Sequence, residues 1–191
     1  VSWYDAVAFC DWLSEQEGLA PFYRFVNGRY AGFNKQSIGY RLPTEAEWEW
    51  LAKKSKRAAS TVYVWGNQEK LQDKTGNFAD KTLSGKQPIF FVDYEDGKTG
   101  VAEVASFKAD RSGIYDLDGN VSEWVHDLYT NSLPDMSQSY VDYTGAPTGE
   151  AWVIKGGNFE TGRLRDLRGA FREFASSGKE TVGFRIARYH D

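Results

Sequence analysis

Asp118-Gly119-Asn120-Val121-Ser122-Glu123-Trp124-Val125 is a polar, glycine-bearing turn that runs directly into an aromatic and aliphatic segment. The Asn120 side-chain oxygen, a nearby main-chain carbonyl and the Glu123 carboxylate three positions on can converge on a hard cation such as calcium, which takes roughly six to eight oxygens in a flexible shell. The same residues also suit an ordinary Gly-Asn turn with Glu123 solvated, because short oxygen-rich turns are common. The segments on either side change the balance between these readings.

Upstream, the pattern is helical. Ser2 can cap a helix in which Ala6, Phe9, Cys10 and Leu13 recur at helical spacing, ending near Gly18. This places Cys10, the only cysteine, on an apolar face, where a thiol is inert packing and no internal disulfide can form. Phe22 to Val26, then Asn27-Gly28, then Arg29 to Ala31 reads as a small hairpin closed by a type I′ turn, expected as a surface ornament. After Leu42-Pro43, Thr44 and Glu47 form a capping box for a second helix, with Trp48, Leu51 and Ala52 toward the core. Lys53, Lys54, Lys56 and Arg57 crowd its C-terminus, where cations complement the helix dipole at a solvated end.

Beyond residue 60 the helical period gives way to short aromatic or β-branched runs separated by Gly, Asn, Asp and Ser. These are Val62 to Trp65, Ile89 to Val92, Trp152 to Ile154 and Phe184 to Ala187. Two helices near the start and short strands on long connections indicate an α+β fold in one domain covering residues 1–191, with no internal repeat and no linker to divide it. Seven Trp, eleven Tyr and twelve Phe supply a dense core or a binding face. A formal charge of −4 gives no long-range attraction to nucleic acid or anionic lipid, and no apolar run approaches the roughly 18 residues of a membrane span.

Three segments in fixed order carry a family resemblance: Tyr40-Arg41-Leu42-Pro43-Thr44-Glu45-Ala46-Glu47-Trp48-Glu49-Trp50, then Gly113 through Trp124, then Val182-Gly183-Phe184-Arg185-Ile186-Ala187, with Lys155-Gly156-Gly157-Asn158-Phe159 between the last two. The chain resembles the formylglycine-generating enzyme or sulfatase-modifying factor family over nearly its whole length. The resemblance implies a C-type-lectin-like core with short antiparallel strands, two N-terminal helices and long loops. It places strands ahead of the first helix, so the chain is expected to be an N-terminally truncated fragment of a longer, bacterial protein, of undetermined compartment. It also implies calcium at two sites. One would use Asn77, the Phe78 carbonyl, Asp96 and the Lys98 carbonyl; the other would use Asn120, the Val121 carbonyl and Glu123.

Catalysis is where the chain departs from the family pattern. The resemblance calls for two copper-binding cysteines shortly after the Gly-Gly segment, since soft thiolates select Cu(I); Thr161 and Asp166 stand at those positions. A hydroxyl and a carboxylate do not replace that pair. Iron, used by a related sulfoxide synthase, would need residues outside this chain, because only His126 and His190 are present and His126 reads as a surface or loop residue. Arg163, Arg165, Arg168 and Arg172 interleave with apolar residues in the region that forms the substrate groove of active relatives. They suit either an anion or acidic-peptide site or loop-bridging ion pairs. Glu160 and Asp166 could form a carboxylate pair, without an evident base or nucleophile beside them.

The expectation is therefore a non-catalytic, calcium-stabilised binding module. Its protein, peptide or small-molecule ligand would lie in a groove around Trp152, Asn158, Phe159, Glu160, Arg163 and Arg165, with other domains of the parent chain as further partners. The competing expectation is a metal-dependent oxidoreductase, using non-haem iron or copper, completed by residues outside this chain.

Overall fold

Two capping boxes start the two helices of the computed structural model, which describes residues 1–132, 134–135 and 137–190. In α1 (Trp3–Gln16) the Ser2 hydroxyl accepts from Asp5 N while the Asp5 carboxylate accepts from Ser2 N, satisfying two otherwise orphaned donors. Gly18, at φ 70°, turns the chain out of the helix, and Leu19 N bonds back to Ser14 O. The buried stripe is Trp3, Ala6, Val7, Cys10 and Ser14. Phe9 lies outside it, 41% exposed, and packs at the rim beside Trp12 and Phe184. Trp3 sets the helix rotation: its ring stacks on Trp152 at 3.4 Å and its Nε1 donates to Val125 O, which turns Phe9 outward.

The hairpin pairs β1 (Tyr23–Val26) with β2 (Arg29–Phe33) through Asn27 and Gly28, whose φ values of 51° and 72° are those a type I′ turn requires. It is not a surface ornament. Phe22 and Tyr23 are buried, and Tyr30 and Phe33 pack against the same cluster as Trp3, Trp124 and Trp152. In α2 (Glu45–Lys53) Thr44 and Glu47 cap each other as the spacing predicts, and Trp48 and Ala52 are buried with Leu51 packed against them. Arg57 is buried instead of solvated. Its guanidinium donates to the carbonyls of Leu51, Ser55 and Val64, closing the C-terminal end of α2 with side-chain hydrogen bonds.

The main sheet has the order β5-β4-β3-β6, formed by β3 (Ser122–Leu128), β4 (Trp152–Lys155), β5 (Glu173–Ala175) and β6 (Val182–Phe184). Two of its pairings are antiparallel, while β3 and β6 run parallel, so the sheet is mixed. Side chains alternate across a strand. Trp124, Trp152 and Ile154 accordingly join α1 and the hairpin on one face, and Val125 and Val153 join α2 on the other. With both faces covered, all of β4 and nearly all of β3 is buried. The register between β3 and β4 shifts between Trp124 and Leu128, and within that interval His126 N bonds to Pro43 O instead of to β4.

Two runs expected as strands are turns. Tyr63 bridges only Gly66, and Phe91 bridges only Asp80. Tyr63 is buried in a third cluster with Leu71, Phe78, Tyr94 and Leu167, and Trp65 and Phe91 pack partly buried against it, so packing among loops satisfies these runs without strand pairing. No helix among the described residues is long and apolar enough to cross a membrane.

Trp152 belongs to this core, 6% exposed between Trp3, Tyr4 and Tyr30. Trp152→Ala is expected to lower stability by about 3–5 kcal/mol, the usual cost of truncating a large buried aromatic. Urea denaturation measures it, and a loss below about 1 kcal/mol would contradict the core assignment.

Candidate metal loops and binding groove

The chain between α2 and β3 folds back so that residues 76–80, 94–102 and 118–120 meet. Asn77 Nδ2 donates to Gly100 O (2.9 Å) and to Asn120 Oδ1 (3.1 Å), while Asn77 Oδ1 is buried with no hydrogen-bond partner. Beside it, Asp96 accepts from Phe78 N (2.9 Å) and from Lys98 N (2.7 Å), and Asp96 N bonds to Asp80. Burial, opposed by these amide bonds, pushes the Asp96 carboxyl above its ordinary range. The structure thus gathers Asn77, Phe78, Asp96 and Lys98. A buried amide oxygen without a donor, next to a carboxylate, fits a hard cation.

The second set of residues is arranged differently. Asn120, at φ 64°, uses Oδ1 to accept from Ala102 N (2.8 Å) as well as from Asn77, and Nδ2 to reach Ala102 O. Glu123 accepts from Trp48 Nε1 (2.7 Å) and from Arg185 Nε (2.7 Å), and its second oxygen meets the same guanidinium. Both carboxylate oxygens are therefore committed to a protein cation, and the set Asn120, Val121 and Glu123 does not fit a metal ion as it stands. Arg185 supplies the positive charge that the sequence pattern assigned to calcium. It reaches Glu123 from just past the end of β6, where Gly183 pairs with Glu123 and Phe184 with Trp124.

The groove is a turn followed by a short 3-10 segment, Leu164–Leu167. Asn158 organises the turn: its Nδ2 donates to Ser122 Oγ (2.9 Å) and its Oδ1 accepts from Glu160 N (2.9 Å). Thr161 Oγ1 accepts from Asn158 N (3.0 Å), and Phe159 N bonds to Asn120 O. At Gly162 the backbone passes so near Ile89 that a Cβ would lie 2.1 Å from the Ile89 carbonyl oxygen. Glu160, Arg163, Arg165 and Arg168 are exposed, and Arg165 pairs only with its neighbour Asp166 (3.2 Å). Trp152 is at the opposite end of β4 in the core and does not line this groove. Arg172 also leaves the cluster: it pairs with Glu45 (2.7 Å) and stacks on Tyr129.

Thr161 and Asp166 do not fit copper, because neither supplies a thiolate and Cys10 is enclosed in α1. Burial pushes the Cys10 thiol up to about 12. His126 is not on the surface. It is 3% exposed, with its ring beside Tyr23 and Phe33, and Tyr23 Oη lies 3.3 Å from Nδ1. Burial, reinforced by the nearby Arg41, holds its pKa down at about 4.

Several polar residues that the sequence reading passed over lie inside. Lys155 is fully buried, its Nζ 3.5 Å from Glu45 and 3.6 Å from Glu49 and over the Trp48 ring. Asp127 accepts from Glu45 N (2.6 Å) at the start of α2. Burial raises Asp118 and Asp127 to about 7 each. Alternation along β4 was the available signal for Lys155, since it shares a face with Val153, toward α2 and its Glu45 and Glu49 four residues apart.

Residues 1–190 match the family model described as a sulfatase-modifying factor enzyme 1-like domain. The chain belongs to that family. It is 30% identical over 194 residues to the formylglycine-generating enzyme of Bos taurus, a match covering 100% of this chain and 43% of that protein. It is 29% identical over 188 residues to the inactive C-alpha-formylglycine-generating enzyme 2 of Bos taurus, covering 98% of this chain and 48% of that one. Among solved structures, Treponema denticola variable protein 1 superposes with a TM-score of 0.78 at 27% identity, covering 98% of this chain and 69% of that one. The α+β architecture with two early helices is the fold these proteins share. The chain spans less than half the length of the two bovine proteins.

Two outcomes test the electrostatics. Glu123→Ala leaves Arg185 and the Trp48 indole without their acceptor and is expected to cost about 3–5 kcal/mol; a loss of that size in the presence of a calcium chelator confirms the ion-pair role. If chelation alone produced the same loss, a metal role would be indicated instead. For His126, the folded pKa lies below the ordinary 6.5, so the native ring stays neutral while an unfolded one takes a proton. Its contribution of about 3 kcal/mol is present above pH 6.5 and is lost as pH falls toward 4. Asp118 and Asp127 act in the opposite sense, favouring folding as pH falls from about 7 toward 4. The ring itself is therefore the cleaner readout: its NMR shifts should be flat from pH 8 to pH 5, and a midpoint near 6.5 would contradict the enclosed neutral imidazole.

Proposed function

We propose that this domain is a non-catalytic member of its family that binds an anionic ligand, a carboxylate-bearing peptide or small molecule, on the Asn158–Arg165 turn, with calcium bracing the neighbouring loop. The observation that carries the reading is the chemistry of the turn. At the two positions where the family resemblance calls for copper thiolates there is a hydroxyl that accepts from Asn158 N and a carboxylate that pairs with Arg165. What the turn presents outward is the guanidinium set of Arg163, Arg165 and Arg168, balanced within the turn by Glu160 and Asp166. Guanidinium forks match carboxylates bidentately, and loops held on a rigid core are the usual place for such recognition.

Calcium enters as a support for the loop. Asn77 Oδ1 and Asp96, with the carbonyls of Phe78 and Lys98, would hold it; the ion would contribute charge neutralisation between the 76–80 and 94–98 segments and no bond making. The second loop needs no ion, because Arg185 neutralises Glu123. A relative named as an inactive formylglycine-generating enzyme 2 is consistent with a family member that does not turn over substrate.

The decisive experiment presents the purified protein with Cu(I), oxygen, a thiol reductant and a cysteine-bearing peptide, and follows the peptide by mass spectrometry. No conversion to formylglycine is expected. Conversion would favour the oxidoreductase reading instead. In parallel, Arg163→Ala with Arg165→Ala should weaken binding of a polyglutamate peptide at least tenfold with an unchanged melting temperature, and Asn77→Ala should abolish the rise in melting temperature on calcium addition. Unaltered peptide binding would assign the arginines to structure, and a calcium response that persists in Asn77→Ala would refute the loop site.

A further inference from the structure

Beside the arginine-bearing turn a cavity of about 470 Å³ opens, with Leu71, Phe90, Phe91, Val92 and Leu164 in its lining. Leu71 is buried, Phe90, Phe91 and Leu164 are half-buried, and Val92 is 61% exposed, so the apolar lining runs out to solvent. Ile89, next along the chain, is 39% exposed. The main chain laces this cavity to the turn: Ala79 N bonds to Thr161 O, and Phe91 N bonds to Ala79 O. Gly162 lies so near the backbone of Ile89 and Phe90 that a Cβ there would collide with both. Two residues on, Leu164 enters the lining, and its chain neighbours Arg163 and Arg165 are exposed, about 3.8 Å away at Cα.

Single exposed apolar side chains need no explanation, but several around one concavity mark a contact surface. The charged residues of the lining, Glu69, Lys70 and Asp93, are all exposed and carry two negative charges against one positive. They offer a carboxylate no net attraction; the guanidinium groups flanking Leu164 do. Arg165 has a side chain 68% exposed despite its contact with Asp166. An exposed pair of this kind is held weakly, so it can exchange one carboxylate for another. Small-molecule sites enclose most of their ligand. With Val92 at its outer rim, this cavity instead admits a side chain while the backbone that carries it stays outside.

We infer that the cavity is the specificity pocket of the anion site: it takes an aromatic or long aliphatic side chain of a peptide segment whose neighbouring acidic residue pairs with Arg163 or Arg165. The inference rests on the anionic-ligand reading of the turn and adds to it the chemistry of the residue beside the carboxylate.

Calorimetric titration of the purified protein with three end-blocked tripeptides separates the two parts. One has phenylalanine between two glutamates, one has serine between two glutamates, and one has phenylalanine between two glutamines. The first is expected to bind at least tenfold more tightly than either of the others. Phe90→Ser with Val92→Ser, at positions outside the buried clusters, should remove the preference for phenylalanine and leave the affinity for the serine peptide unchanged. Arg163→Ala with Arg165→Ala should remove the preference for glutamate. Equal binding of the two glutamate peptides by the wild type would overturn the pocket and leave the anion site standing. Equal binding of the two phenylalanine peptides would refute the anionic reading and the paired recognition with it, and no saturable binding of any of the three would overturn both. A phenylalanine preference that survives the double serine variant would also overturn the pocket. Binding of 3-phenylpropionate as tightly as the first peptide would overturn the peptide ligand in favour of a free carboxylate.

Discussion

The central strand pair of this domain is buried on both faces and still carries charge, and that constraint organises much of what surrounds it. A polar group taken out of water needs a partner, and a charge needs one more urgently. On β3 and β4, Glu123, Asp127 and Lys155 lie within a sheet closed in by α1 and the hairpin on one side and by α2 on the other. Each recruits a different element. Glu123 draws Arg185 from beside β6 and the indole of Trp48 from α2. Asp127 receives the first amide of α2, and Lys155 lies between Glu45 and Glu49 of the same helix. The strand charges thereby specify where α2 docks and how β6 is registered, a specificity that apolar packing alone would define less sharply.

The opposite face works by shape. Trp3 and Trp152 stack nearly parallel, and Tyr4, Tyr23 and Tyr30 meet the Trp3 ring edge-on. The perpendicular contacts suit the ring quadrupoles, and the parallel indole pair adds a large buried area. The indole N–H groups of Trp3 and Trp124 are both taken up by main-chain carbonyls, of Val125 and Val1, so the aromatic layer also ties the start of the chain to the central strand. The hairpin is part of this layer, and for that reason it cannot be peripheral.

On this framework the loops divide between structure and binding. The Asn158 turn is held by Ser122, Thr161 and Asn120, and its arginines lie exposed, Arg165 against Asp166 and Arg168 donating to the Arg165 carbonyl. The loop around Asn77 and Asp96 is drawn together by backbone amides donating to aspartate, with one amide oxygen left over. These are different kinds of construction: the first presents charge to solvent, the second encloses an acceptor.

Both helices were legible from their capping boxes, because Ser2 with Asp5 and Thr44 with Glu47 satisfy amides within one turn and need nothing from the rest of the chain. The hairpin turn was legible for the same local reason: Asn27 and Gly28 tolerate positive φ. The family segments, and the absence of a cysteine pair after Gly156-Gly157, could also be read directly from residue identities. The fates of Glu123, His126, Arg57 and Trp152 could not. Each depends on a partner far away in sequence: Arg185 lies 62 residues from Glu123, and Trp3 meets Trp152 only once α1 has docked on the sheet. Local rules of capping and turn geometry act over a few residues and are written in the sequence. Whether a carboxylate becomes a metal ligand or half of an ion pair is decided by which charge the tertiary fold brings to it, because in a buried site the nearest compensating charge governs the energy.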